Sequence, residues 1–449
     1  MKGKGGFLRI GKKLPGSEAR MWIKKDNRFV SQSYTRAYPL VVKRGKGMMI
    51  EDVDGNTFLD FTSGIATCST GHCHPSVVEA IIRQAGELIH MSGTDFYYPS
   101  QIKLAERLAG ITPGNKNKRV FFGNSGAEAI EAAFKLARYH TKREMFIAFY
   151  GSFHGRTMGA LSLTASKAVQ RRYFNPLIPG VRHAPYAYCY RCHYNLTYPD
   201  CDIECVKWIR DVLFMNTVPP EEVAAIVVEP IQGEGGYVVP PKEFHTRLYS
   251  LAKEFGILYI ADEVQSGMGR TGKMLASEHF GIKPDIITLA KGIASGMPVG
   301  AMVASSGIMD WIPGSHASTF GGNPVSCEAA LVTIDLIQNE LMENAAEIGG
   351  YLLNRLEEMK KEYEIIGDVR GKGLMIGIEL VRDRETKEPA DKERENIIQG
   401  CFEKGLLLLG CGKNSVRFMP PLVVSRKDAD TALSIFDEVL NEVEKKRCL

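Results

Sequence analysis

The sequence predicts an α/β fold: a large domain on a mostly parallel sheet flanked by helices, joined to a smaller α+β domain. Three observations predict it. Short apolar runs recur between about residues 118 and 290, each of a length that suits a strand buried on both faces. Segments of helical period separate several of them, the alternation expected of crossover connections. Beyond about residue 330 that alternation gives way to one long helical pattern, short strand-like runs and a closing helix. With 449 residues, 44% of them hydrophobic, the chain has material for two cores. The division read from the pattern is 1–75, an N-terminal segment packing with the small domain; 76–330, the large domain; and 331–449, the C-terminal small domain.

In chain order, EDVDGNTFLDF (Glu51 to Phe61) reads as a hairpin around the Asp54-Gly55 turn. HPSVVEAIIRQAGEL and PSQIKLAERLAG read as amphipathic helices. The strand candidates are RVFFGN, MFIAFYG, AAIVVEP, ILYIADE and DIITLA. Helical patterns AEAIEAAFKLARYHTK, KWIRDVLFM and FHTRLYSLAKEFG fall between them. The second half offers one long helix (AALVTIDLIQNELMENAAEIGGYLLNRLEEMKKEY), strand runs at VRGKGLMIGIELV, LLLLG and VRFMPPLV, and a last helix with Ser425 as its N-cap.

Composition excludes several functions. The net charge of +4 is dispersed, with no basic stripe interleaved with aromatics, so nucleic acid is not an expected partner. No apolar run is long enough to span a bilayer, and MKGKGGFLRIGKK has no secretory h-region. A cytoplasmic protein without a membrane partner is expected, in which most of the ten cysteines act as small hydrophobes.

Ligands of open α/β sheets sit beyond the carboxyl ends of the strands, so the residues there carry the functional reading. Ser125-Gly126-Ala127 follows a strand and opens a helix, whose free amides and dipole suit a phosphate. Phe153 and His154 offer aromatic faces. Asp262 ends an apolar strand, where a carboxylate persists only if paired. Lys291 follows the apolar DIITLA, where desolvation would lower its pKa and leave a nucleophilic amine. A phosphate anchor, a stacking ring, a carboxylate for a pyridinium nitrogen and a lysine for an aldehyde together describe pyridoxal 5'-phosphate.

The longer motifs carry a resemblance. NSGAEAIEAAFKLAR, FHGRT, VEPIQGEGG, ILYIADEVQSGMGRTGK, PDIITLAKGIASGMPVGA, HASTFGGNPVSCEAA and VRFMPPL stand in the order found in class III (ω-) aminotransferases, fold-type-I pyridoxal phosphate enzymes. The chain resembles that family over nearly its whole length. The resemblance implies that Lys291 is the Schiff-base lysine and that Asp262 contacts the pyridine nitrogen. It puts Gln265 near the ring hydroxyl, Phe153 on the ring, and the Gly126 and Ala127 amides on the phosphate. Glu229 is implied as a support of Gln265. Thr319 resembles a residue reaching the cofactor of the other subunit, which implies a homodimer with shared sites; a dimer of dimers stays open. Arg156 resembles the arginine that binds a distal substrate carboxylate. Arg417 and Glu234 resemble a gate in which the glutamate masks the arginine that receives the α-carboxylate of a 2-oxo acid.

The expected substrates are therefore small amino acids and 2-oxo acids. Ile65 resembles the apolar residue of 4-aminobutyrate enzymes. Asp95 departs from that pattern and suggests a distal ammonium, as in ornithine or lysine, with a helix cap or exposed aspartate as the equal alternative. The expected reaction moves an amino group from an ω-amino or diamino acid to 2-oxoglutarate or a similar acceptor. Racemases and epimerases on the same scaffold are the alternative. GMGRTGKM (Gly267 to Met274) fits G-x-x-x-x-G-K but has Met274 where a P-loop needs a hydroxyl, so a nucleotide hydrolase is excluded. Cys189-x₂-Cys192-x₈-Cys201-x₃-Cys205 is left open between a metal site, disulfides and reduced thiols.

Overall fold

A computed structural model describes residues 8–11 and 13–447. The first seven residues of the stretch read for a leader, and Lys12 in it, lie outside the described residues. The large sheet has seven strands, in spatial order Lys118–Gly123, Gly300–Ser305, Ile286–Leu289, Leu258–Asp262, Val223–Val228, Met145–Phe149 and Val181–Ala184. The last five in that order pair parallel, while Gly300–Ser305 runs antiparallel to both neighbours. The mostly parallel sheet is thus present, with two strands that hydropathy alone does not mark. GAMVAS carries little β-branched or aromatic signal. Its small residues answer a packing demand instead: a Cβ on Gly300 would stand 2.2 Å from the Ser125 carbonyl oxygen.

Helix Gly126–Thr141 buries Ala129, Ile130, Ala132, Ala133, Phe134, Leu136 and Ala137, a stripe of helical period. Phe134 stacks on Phe146 of the sheet at 4.0 Å between ring centroids. Ser125 caps the helix by accepting from Glu128 N–H (3.3 Å), an interaction worth about 1 kcal/mol. The Glu128 carboxylate reaches back to Asn124 N–H (2.5 Å), so the strand-to-helix turn is held from both sides. Lys142 ends the helix in the left-handed conformation.

The hairpin pairs Met49–Asp52 with Thr57–Asp60, but its loop is wider than a two-residue turn. The Asp52 carboxylate gathers Asp54 N–H, Asn56 N–H and the Asn56 amide, and that cluster sets the loop length. This N-terminal sheet is completed by Leu406–Leu407, which runs parallel to Thr57–Asp60. The other C-terminal sheet holds Ile366–Lys372, Met375–Asp383, Ser415–Phe418 and Leu409–Cys411. The long helix starts earlier than its pattern suggests, at Pro324, because Asn323 caps it by accepting from Ser326 N–H (3.0 Å). A π-helical turn at Ile337–Leu341 interrupts it before Met342–Glu362. Ser425 caps the final helix, accepting from Asp428 N–H (3.2 Å) while Asp428 accepts from Ser425 N–H (3.0 Å).

One apolar cluster runs through both halves of the chain, from Leu104, Leu108 and Leu289 to Leu352, Ile376, Phe418 and Phe436. Phe418 meets Phe61 and Phe436 edge to face, at 5.5 and 5.2 Å. No helix among the described residues is long and apolar enough to cross a membrane.

Candidate active site

The carboxyl ends of the parallel strands open into a cleft of about 410 Å³. Five separate strand ends supply its lining: Asn124 and Ser125, Phe153 and His154, Glu229, Asp262 and Lys291. Gly126, Ala127, Arg156 and Gln265 border it as well. Residues far apart in sequence converge because parallel strands all deliver their C-terminal residues to one edge.

Lys291 lies at the floor of this cleft with φ +44°, in the left-handed region where a non-glycine residue is strained. Protein surrounds its amine, and only the cleft side is open. Burial lowers its pKa, and the Arg417 charge acts the same way against the pull of Asp262, Glu234 and Glu229. The result is an amine poised toward its neutral, nucleophilic form.

Asp262 is 4% exposed and fixed from three directions. Its Oδ2 accepts from His154 Nδ1 (2.7 Å), and its Oδ1 accepts from Val264 N–H (3.1 Å) and the Thr288 hydroxyl (3.2 Å). Because a carboxylate accepts at Nδ1, that nitrogen carries the proton. Burial opposes charging of His154, yet the Asp262 carboxylate outweighs it, with Glu229 adding to the pull, and its pKa is raised. His154 Nε2 is buried without a partner.

Glu229 is buried, accepting from the amides of Phe153 (3.1 Å) and Gly233 (3.0 Å). Burial pushes its pKa up to about 7, with the Asp262 charge adding to the effect while His154 and the two amides oppose it. Its carboxylate thus holds two backbone amides of the loops that border the cleft. Gln265 is held by the Tyr237 hydroxyl, which donates to its Oε1 at 2.7 Å. Phe153 lines the cleft with the Arg156 guanidinium over its ring at 5.5 Å.

Arg417 and Glu234 pair beside the cleft, Nη1 to Oε1 at 2.7 Å. Lys167 approaches the other Glu234 oxygen at 3.5 Å. Burial would raise the Glu234 pKa, but Arg417 and Lys167 overcome it and hold the carboxyl below its usual range. The Arg417 guanidinium is 5% exposed, and its Nε has no partner.

Five expected residues are not part of the cleft lining of a single chain: Glu234 and Arg417, paired beside it, and Ile65, Asp95 and Thr319. Ile65 is 46% exposed, Asp95 is exposed on a turn, and Thr319 is exposed beside the 62% exposed Phe320. Other residues join the site without having been singled out. Thr67, Val264 and Met297 line the cleft, Thr288 orients Asp262, and Tyr237 holds Gln265. Thr288 had a visible signal as the one hydroxyl inside the apolar DIITLA; Thr67 and Met297 had none.

The donor set fits pyridoxal phosphate on the geometry alone. Lys291 offers an amine for an aldehyde, and the pinned Asp262 carboxylate suits a protonated ring nitrogen. The first-turn amides of Gly126 and Ala127 border the cleft without helical acceptors. Gly126 is required there: a Cβ would come 2.8 Å from the Val264 side chain.

A sequence profile described as "Aminotransferase class-III" matches residues 30–440. The chain is 41% identical over 445 residues to an alanine/serine racemase from Pyrococcus horikoshii, covering 97% of this chain and 93% of that one. It is 40% identical over 420 residues to a probable 4-aminobutyrate aminotransferase from Bacillus subtilis, covering 93% and 96%. Among solved structures, a Bacillus anthracis aminotransferase superposes with a TM-score of 0.88 at 32% identity, covering 96% of this chain and all (100%) of that one.

Proposed function

The chain belongs to the class III aminotransferase family of pyridoxal phosphate enzymes, and on that footing we propose that it moves an amino group from an ω-amino or diamino acid to a 2-oxo acid such as 2-oxoglutarate. The observation that carries this reading is the Glu234–Arg417 ion pair. An arginine that alternates between a protein carboxylate and a substrate carboxylate suits an enzyme with two chemically different substrates on one site.

The cofactor, when bound, supplies an aldehyde for the amine and a cationic ring that accepts the electron pair left at Cα. The chain's residues do the rest. Lys291 would hold the cofactor through its amine, and the same amine would carry the proton from Cα. Its lowered pKa makes the neutral, proton-accepting form accessible. Asp262, oriented by His154, Thr288 and Val264, would keep the ring nitrogen protonated. Phe153 and Gln265, both in the cleft lining, would hold the ring and its hydroxyl. Ser125, Gly126 and Ala127 would hold the phosphate. Arg156 receives a distal carboxylate when the donor has one. Arg417 receives the α-carboxylate of the acceptor after Glu234 swings aside.

The functional unit in this reading is a homodimer in the cytoplasm, with residues 1–75 serving the small domain 331–449 and residues 76–330 holding the cofactor. Tyr97 (96% exposed) and Phe320 (62% exposed) lie near Asp95 and Thr319 in sequence, and so much exposed apolar surface supports covering by a second copy. Thr319 and Asp95 then belong to the site of the other subunit, and Asp95 meets a distal ammonium while Ile65 shapes the entrance.

Racemisation of an α-amino acid is the second reading, favoured by the alanine/serine racemase relative at 41% identity. One experiment separates the two. Single-enantiomer amino acids are incubated with the enzyme, with and without 2-oxoglutarate, and resolved by chiral chromatography. Glutamate formed only with the acceptor supports transfer; an opposite enantiomer accumulating without any acceptor replaces that reading with racemisation.

A further inference from the structure

Between the strands Val181–Ala184 and Val223–Val228 the chain leaves the sheet for a long excursion. From Pro185 to Ile203 its only regular structure is a single 3₁₀ turn, Cys189–Arg191. Connections of this length without secondary structure are uncommon in a folded domain unless something fastens them. Asn195, Asp202 and Ile203 all have positive φ, so the path is also strained.

Cys189, Cys192, Cys201 and Cys205 all line one small cavity in this excursion. Its volume is about 20 Å³, close to the space of one atom-sized occupant. The four thiols are free and lie within electrostatic reach of one another: Cys189 with Cys192 and Cys201, and Cys205 with all three. His193 borders the cavity but stacks toward Tyr150, at 6.0 Å between rings. Among the described residues no three ligating groups already converge on one point. The four cysteines ring the cavity, and a tetrathiolate site asks each sulfur to approach the ion to ~2.3 Å.

We propose that Cys189, Cys192, Cys201 and Cys205 bind one Zn²⁺ as a tetrathiolate, and that this ion fastens the excursion against the gate of the active site. Four cysteines with a Cys-x₂-Cys pair give the closed donor set of a structural zinc site. The mechanical link is explicit. Tyr188 and Arg191, on either side of Cys189, both donate to the buried Glu379 carboxylate. Arg370 bonds that carboxylate at 2.7 Å, and also the carbonyl oxygens of Gly236 (2.7 Å) and Tyr237 (3.2 Å). Gly236 and Tyr237 follow Glu234, the partner of Arg417, by two and three residues. Fixing the cysteine segment therefore holds the backbone from which the gate carboxylate projects.

The test is metal content of the pyridoxal phosphate-loaded enzyme, purified without added metal, by inductively coupled plasma mass spectrometry. Titration with an organomercurial in the presence of a zinc-binding dye accompanies it. One zinc per chain, released as four thiols react, is expected. Cys192→Ser and Cys201→Ser should each weaken zinc binding by more than about 100-fold, beyond what loss of an outer-shell partner costs. Their cofactor absorbance should persist while KM for the 2-oxo acid rises, and His193→Ala should keep its zinc. Should the serine variants fail to fold, chelator-treated wild-type enzyme is given Co²⁺ and must develop thiolate-to-cobalt charge-transfer absorption. Absence of both zinc and the cobalt band overturns the proposal. So does iron with acid-labile sulfide, or a mass spectrum in which these cysteines are paired as disulfides.

Discussion

Glu234 and Arg417 stand 183 residues apart in the chain and 2.7 Å apart in the fold, the arginine side chain 5% exposed and the glutamate 18%. An ion pair so placed is expensive to break by deletion, about 3–5 kcal/mol, because the surviving charge is left without a partner. A substrate carboxylate that replaces Glu234 avoids that cost. In the proposed reading, the pair is stable when closed and exchanges when a matching anion arrives.

Glu234→Gln removes the competing charge but keeps the shape. The ratio of kcat/KM for an α-amino donor such as glutamate to that for an ω-amine should rise about tenfold, a shift of about 1.4 kcal/mol. An unchanged ratio would mean that the glutamate does not mask Arg417.

Lys291→Ala should remove the visible absorbance of lysine-bound cofactor and reduce kcat by about 10⁴ or more, since both attachment and proton transfer depend on that amine. Spectra and turnover of the purified variant check this. Retention of either property would refute the role given to Lys291.

Asp262→Asn leaves the ring nitrogen without its carboxylate and takes the charge partner from His154 Nδ1. A fall in kcat of about 10²–10³ is expected, the range for removing one preorganised electrostatic partner. His154→Ala should cost less, because Val264 and Thr288 still orient the carboxylate. Equal losses in the two variants would show that the imidazole does more than position its neighbour.

Glu229 gives a pH signature. Burial raises its pKa from 4.5 in the ordinary case to about 7 in the fold. Between those values the folded chain binds more protons than the unfolded one, so stability falls as pH rises. The contribution is complete below 4.5 and is lost as pH climbs through 7. In the cofactor-stripped protein, wild-type Tm should therefore drop relative to Glu229→Gln between pH 5 and 8. A parallel pair of curves would rule out titration of Glu229 in that window.

Asp95→Ala should lower kcat/KM for ornithine or lysine by about 10–100-fold, the value of a charge-assisted hydrogen bond of about 1.5–3 kcal/mol, and leave 4-aminobutyrate turnover little changed. Steady-state kinetics on both donors decides it. Undiminished ornithine activity would sink the assignment of a distal ammonium to Asp95.

The sequence by itself determined the parallel core, the strand ends that carry chemistry and the residue types of a pyridoxal phosphate site. Buried strands announce themselves by continuous apolar runs, and the lysine, aspartate and serine that interrupt their ends stand out against that background. Tertiary structure alone decided the rest. The antiparallel strand Gly300–Ser305 pairs with Lys118–Gly123, and its first residue lies so close to the Ser125 backbone that only glycine fits. The Glu229 carboxylate bonds the Phe153 and Gly233 amides, while Gln265 takes the Tyr237 hydroxyl, a choice among nearby donors that spacing does not encode. The link from the cysteine excursion through Glu379 and Arg370 to the gate joins segments near residues 190, 237, 370 and 379. Such contacts follow from how sheets stack and where loops return. Local hydrophobic periodicity fixes the face a residue presents, and the three-dimensional path of the chain chooses which charge it meets.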